Sequence, residues 1–261
     1  MTPPTLPLAP SHSASQHRTL LSLEPLTPSS FSEFGTAICA PFDSSLTTPP
    51  RSSASIPVPL HAPHQPAPVF ANQNSALKTS PISQFSNNYP KAPASKPQMS
   101  MFSCFPRNLS GIGVEPSGGA GGSIFRVSIL ERHPYTTQTF SPLGLSAASD
   151  SSTFFLVVVA PSLPSSTTAV KSTGSETAIA NPPDLARLRA FLARGDQAVT
   201  YGPGTWHAPM VVLGQRRVDF LVTQFVNGVA EDDCQEVLLG QNDIGIDLSG
   251  LGLDGFARPK L

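Results

Sequence analysis

Residues 124 to 133 read Ile-Phe-Arg-Val-Ser-Ile-Leu-Glu-Arg-His, and the alternation of this stretch decides the fold. Side chains on a strand point to opposite faces in turn, so Phe125, Val127, Ile129, Glu131 and His133 share one face. Three apolar residues make that a core face, and the carboxylate and imidazole that follow are aimed into the same core. Burying them there is costly unless a partner, a metal ion or a ligand satisfies them.

Working outward, residues 154–159 form a continuous apolar run suited to a strand buried on both faces. Residues 197–201, 210–213 and 218–226 are further strand candidates, separated by Gly/Pro turns. Two short helices are expected. One opens at Thr27-Pro28 and ends before Gly35, with a hydroxyl cap and proline at the first helical position. The other opens at Asp184, carries Leu185, Leu188 and Leu192 at helical spacing, and closes at Gly195. Short strands with this spacing predict a mainly-β chain folded as a barrel or jelly roll.

Composition sets the limits. The chain has 261 residues and 29 prolines, most of them before residue 101, where charges are few and Ser, Ala and Thr are common. Such sequence buries little apolar surface. Residues 1–24 are therefore expected as a disordered tail, 25–240 as the domain, and 241–261 as a C-terminal tail. Loop insertions are expected near 43–69, 79–98 and 161–180, and a Gly-rich segment lies at 111–122. A net charge of −1 gives no basic footprint for nucleic acid and no polybasic membrane patch. No apolar run approaches the length that spans a bilayer, and the first 30 residues lack the pattern of a secretory leader. Cys39, Cys104 and Cys234 have neither metal-ligand spacing nor an even count, which fits free thiols in a reducing compartment. A soluble cytoplasmic protein is the expectation.

Past His133, a Pro-Tyr-Thr-Thr turn leads to Gln138, giving Glu-x-His-x4-Gln. Some 70 residues on, Tyr201 is followed by Gly202-Pro203-Gly204-Thr205-Trp206-His207, a turn that places a histidine at the mouth of a strand. A lone histidine after a turn is more often structural; the two pairs together point to a site. This order and spacing resembles the two motifs of the cupin superfamily, His-x-His with an acid four or five residues on and Pro-x-Gly-x-x-His, with Gly202 in the proline's place. The resemblance implies a cupin-like double-stranded β-helix in which Glu131, His133, Gln138 and His207 converge. Such a mix of N and O ligands suits a divalent metal such as nickel, manganese or iron. Two of the four positions are not histidine and glutamine is a neutral ligand, so a site with no metal stays open.

The wider sequence resembles the ureidoglycolate lyases, especially their fungal form. The resemblance runs in order through FSEFGTAI at 31–38, ANQNSALK at 71–78, MSMFSCFPR at 99–107, LERHPYTTQTFSPLG at 130–144, FLVVVAP at 155–161 and the segment 184–237. Asn74-Ser75 stands where the family has Gly-Thr, which bears on the local backbone because glycine enters positive φ more freely. His207-Ala208 stands where bacterial members often have a His-His pair. The resemblance implies elimination of urea from ureidoglycolate to leave glyoxylate, in a homodimer. It implies proton transfer by His133 or His207, with Glu131 orienting a histidine or binding metal. Substrate contacts would come from Gln138 at the ureido group, Lys78 at the carboxylate, and Asn72 and Tyr201. Asp219 is expected behind them, sharing an inward face with Leu221 and Phe225. An amidohydrolase releasing ammonia from the same substrate and a cupin-like binding module without turnover are the alternatives.

Overall fold

The computed structural model describes residues 2–8, 19–107 and 124–251; the Gly-rich segment 111–122 lies outside them. The strands are β1 (Thr19–Leu21), β2 (Leu23–Pro25), β3 (Gly35–Ile38), β4 (Val69–Ala71), β5 (Ala76–Lys78), β6 (Lys96–Cys104), β7 (Ile124–Val127), β8 (Ile129–Arg132), β9 (Gln138–Leu143) and β10 (Phe154–Ala160). They continue as β11 (Ser166–Val170), β12 (Glu176–Ala180), β13 (Arg189–Ala193), β14 (Ala198–Tyr201), β15 (Trp206–His207), β16 (Val211–Leu213), β17 (Val218–Val226), β18 (Gln235–Leu238) and β19 (Ile244–Asp247). The fold is mainly β, as expected, and its strands form two large sheets rather than one closed barrel among the described residues. The order is β18-β8-β15-β10-β13-β2 in one, with β16 also on β10, and β3-β14-β9-β17-β6 in the other. A smaller sheet, β1-β19-β7, and the hairpins β11-β12 and β4-β5 complete it.

β10 explains why its sequence is apolar without a break. Phe155, Val157 and Val159 point into a core shared with Phe140, Val199, Tyr201, Phe220 and Val222 of the five-stranded sheet. Phe154, Leu156, Val158 and Ala160 point into a second core with Leu130, Trp206, Val237, Ile244 and Ile246. All seven residues are buried. Each such side chain is worth about 1.5–3 kcal/mol of burial, so this strand anchors both layers.

Several expectations change. The alternation from Phe125 to His133 breaks at Ser128, where the chain leaves β19 and takes β18 and β15 as partners. Val127 and Leu130 therefore enter the same core, while Glu131 and His133 share the opposite face. Neither expected helix forms. At Asp184 the cap is real, since its carboxylate accepts from Ala186 N at 3.1 Å, but one 3-10 turn (Leu185–Arg187) is all that follows. β13 then pairs with β10 on one side and β2 on the other; ladder bonds on both edges outweigh the leucine spacing. At Thr27 the hydroxyl accepts from Ser30 N at 3.1 Å, yet the chain stays in turns. The Phe34 carbonyl is taken by Gly202 N at 2.8 Å and Thr205 Oγ1 at 3.0 Å, not by a further helical turn. Gly35, at φ +144°, lets β3 close on β14, because a Cβ there would lie 2.0 Å from Thr200 O. The one α-helix among the described residues, α1 (Ala230–Asp233), lies where none was expected, with three acidic residues in its first turn.

The described parts of both terminal segments are also built in. Residues 4–6 bridge β11 and β18, with Leu6 buried; β1, β2 and β19 are sheet members rather than tails. The segment 161–180 is not a loop but carries the hairpin β11-β12, whose Ser/Thr/Val composition suits strands and whose Ala169 is buried in the core. Within 79–98, residues 86–88 lie along Tyr135–Thr137: Asn88 N donates to Tyr135 O at 2.7 Å and Ser86 N to Thr137 Oγ1 at 3.0 Å.

Candidate active site

The Gly202-Pro203-Gly204-Thr205 sequence makes the turn that its composition promises. Thr205 N donates to Gly202 O at 3.1 Å, and Gly204 takes φ +77°, the pattern of a turn with proline second and glycine third. The turn delivers β15, a two-residue strand held on both sides, with Val159 opposite His207 on β10 and Glu131 opposite it on β8. Trp206 faces the other core, its indole N–H on Asn181 O at 2.9 Å and the Arg132 guanidinium 4.6 Å above its ring. That clamp fixes the strand so that His207 points between the two large sheets.

His207 is buried and its ring lies parallel to Tyr201, 4.0 Å between centroids and 10° between planes. Its Nδ1 lies 3.0 Å from Thr205 O. His133, also buried, has Nδ1 2.6 Å from Asp233 O, at the end of α1. A carbonyl can only accept, so each Nδ1 carries the proton and each Nε2 presents a bare lone pair. Both Nε2 atoms are buried with no hydrogen-bond partner, as is Gln138 Oε1. Glu131 Oε1 lies 3.4 Å from His207 Nε2. One ligand atom each from Glu131, His133 and His207 falls within 4.8 Å of the others. Four acceptors thus converge with no donor among them, an arrangement that calls for a cation, a proton or a donor-rich ligand.

Electrostatics agree. Burial, reinforced by the neighbouring His207, pushes the His133 imidazole down to about 4, so it is neutral near pH 7. Burial pushes the Glu131 carboxyl up, but the charge that His207, 3.4 Å away, and His133 carry when protonated outweighs it and holds it below its ordinary value. Burial and the Glu131 charge raise the Tyr201 hydroxyl well above its ordinary value, keeping it a donor.

The structure thus brings together Glu131, His133, Gln138, His207 and Tyr201. Gln138 and Tyr201 are cross-strand partners on β9 and β14. Lys78 and Asn72 are elsewhere, exposed on the β4-β5 hairpin, and no hydrogen bond or ion pair joins them to the cluster. Asn74 adopts the backbone for which the family uses glycine, at φ +69°, as do Asn72 and Gln73 beside it. The Asp219 expectation fails. On β17 the buried face is Val218, Phe220, Val222 and Val226, so Asp219 lies on the other face and pairs with Arg217 at 2.8 Å. Reading the strand in that phase would have exposed a residue that was missed: Gln224, the polar member of the inward face. The two carbonyls that set the histidine tautomers, from Thr205 and Asp233, left no trace in side-chain spacing.

Among the described residues, no helix is long and apolar enough to cross a membrane. Comparison with known proteins follows the same residues. A model of the family described as ureidoglycolate lyase matches residues 18–246. A ureidoglycolate lyase of Saccharomyces cerevisiae is 38% identical over 181 residues, covering 67% of this chain and 80% of that protein. One from Schizosaccharomyces pombe is 35% identical over 167 residues, 64% of this chain and 75% of its own length. A bacterial ureidoglycolate lyase, from Brucella ovis, is 39% identical over 110 residues, 42% of this chain and 48% of that protein. A family match spanning both the turn that aims His207 and the strand that carries Glu131 leaves one assignment: this chain belongs to the ureidoglycolate lyase family.

Proposed function

We propose that the chain eliminates urea from ureidoglycolate to give glyoxylate, and that Glu131, His133, His207 and Gln138 hold a divalent transition metal, nickel, manganese or iron. The observation that carries this reading is the acceptor-only cluster, two bare imidazole nitrogens, a carboxylate and an amide oxygen, within a family match. When bound, such an ion supplies positive charge for the carboxylate and hydroxyl oxygens of the substrate.

Ureidoglycolate carries hydroxyl, carboxylate and urea nitrogen on one carbon. Elimination removes the hydroxyl proton, forms the C=O bond, breaks the C–N bond and returns a proton to the departing nitrogen. A histidine Nε2 can hold a cation or take a proton, not both at once, so the two roles expected of the histidines compete. With both histidines as ligands, proton transfer falls to Glu131, whose second carboxylate oxygen stays free when the first holds the cation. It is ionised and the most accessible member of the triad, and one carboxylate can take the hydroxyl proton and pass it to the urea nitrogen. Tyr201, kept protonated and stacked on His207, is a donor for substrate oxygen. Without a metal, a bare Nε2 is itself the base. A cytoplasmic homodimer completes the proposal, and Lys78 and Asn72, exposed on β4-β5, are accessible to a second copy.

Purified protein incubated with racemic ureidoglycolate, with and without chelator, tests this by following urea, ammonia and glyoxylate. Urea with glyoxylate supports the lyase, and chelator sensitivity supports the metal. Ammonia in place of urea, or no turnover in either condition, refutes the lyase reading.

A further inference from the structure

How one amide is turned decides whether two of the cluster's four acceptors stay free. Gln138 Nε2 donates to Gln224 Oε1 at 2.6 Å, which leaves Gln138 Oε1 buried and unpartnered within hydrogen-bonding reach of His133. Register explains the contact. β17 runs antiparallel to β9 with Thr223 opposite Thr139, so the next rung sets Gln224 opposite Gln138, as Tyr201 is on the other side. With the amide turned the other way, Gln138 Nε2 would donate to the bare His133 Nε2. The cluster would then satisfy itself and lose two of its four acceptors.

We infer that Gln224 is a positioning residue that holds the Gln138 carbonyl toward the cluster and so keeps the site acceptor-only. This deepens the proposed function and rests on that site. It holds whether the pocket takes a divalent cation or only the N–H groups of the ureido moiety, because both need the Gln138 oxygen. Gln224 touches neither and acts through Gln138.

The test compares Gln224→Met, which removes the acceptor at similar size, with Gln224→Glu, which keeps it. Three readouts are taken on the full chain: unfolding temperature, Kd for Ni²⁺ and Mn²⁺ by calorimetry, and kcat and KM for urea release. Outer partners that orient a metal ligand are worth about 10–100-fold in affinity. Gln224→Met is therefore expected to weaken metal binding by roughly that factor, or to raise KM if no metal binds, with the unfolding temperature little changed. Gln224→Glu is expected to match wild type or bind metal more tightly. If wild type binds neither ion but KM rises in Gln224→Met and not in Gln224→Glu, the metal reading fails and the positioning role stands. Wild-type Kd and KM in Gln224→Met, or equal losses in both variants, would overturn the role.

Discussion

Replacing His207 by alanine separates a ligand from a packing residue. In the metal-free protein the substitution removes the stack on Tyr201, worth about 1 kcal/mol. It also removes the bond from Nδ1 to Thr205 O, worth about 1 kcal/mol, and leaves a cavity costing about 1–2 kcal/mol. Against these, it deletes a buried acceptor with no partner, which returns about 1–3 kcal/mol. The metal-free variant should thus lie within about 3 kcal/mol of metal-free wild type, roughly 6–12 °C for a chain of this size.

Adding metal should pull the two apart. At about a hundred times Kd, wild type gains about 2.7 kcal/mol, roughly 5–11 °C. The variant, one ligand short, should gain little. Urea release should fall by more than about a hundredfold, since the outer partners of a ligand alone are worth that much. Differential scanning fluorimetry with chelator or with Ni²⁺, beside a urea assay, measures both effects. A metal-dependent rise equal to wild type, or wild-type urea release, would refute the assignment of His207. A variant inactive in both conditions, beside a wild type that shows no metal response, would instead return His207 to the role of base.

Three further outcomes follow from the same contacts. Gly35→Ala puts a Cβ 2.0 Å from Thr200 O and should destabilise by about 3 kcal/mol or more, because backbone must move; a stable, fully active variant in thermal unfolding contradicts this. Arg132 lies over Trp206 and donates to Gln235, Ala180, Asn181 and Ser162, with no ion pair to a carboxylate among the described residues. Arg132→Lys keeps the charge but not the planar fork, so a loss of roughly 2–4 kcal/mol is expected in denaturant midpoint; a loss under about 0.5 kcal/mol would remove that clamp from the account. Finally, the folded pKa of His133 is pushed down to about 4 while the unfolded value is ordinary, so between those values the unfolded chain binds more protons. Metal-free protein should keep the full contribution of this site above about pH 6.5 and lose it as pH falls toward 4, by about 3 kcal/mol. His133→Gln should flatten that slope, and an unchanged slope would show that His133 is not its source.

What the sequence made legible follows from which interactions are local. The pairs Glu131/His133 and Trp206/His207 were readable because strand alternation and a Gly-Pro-Gly turn act within a few residues. The unbroken apolar run of β10 correctly announced a strand buried on both faces. The helix expected at Asp184 failed for the opposite reason: its cap is local and formed, but ladder partners from β10 and β2 decided what came next. At Ser128 a change of partner sheet shifted the alternation, so the inward polar face was predicted correctly but together with the wrong apolar residues.

β17 shows how a phase error hides function. Counting Asp219, Leu221 and Phe225 as inward drew attention to a surface ion pair, whereas the inward phase of the same nine residues contains Gln224 opposite Gln138. Spacing alone identifies candidate ligands and says nothing of which way an amide is turned or which nitrogen of a histidine is bare. Those are set by Asp233 O, Thr205 O and Gln224 Oε1, which reach the cluster from α1, the turn and β17. The orientation of the site's polar groups is therefore set by groups that any cupin-like reading of its four candidate ligands leaves out.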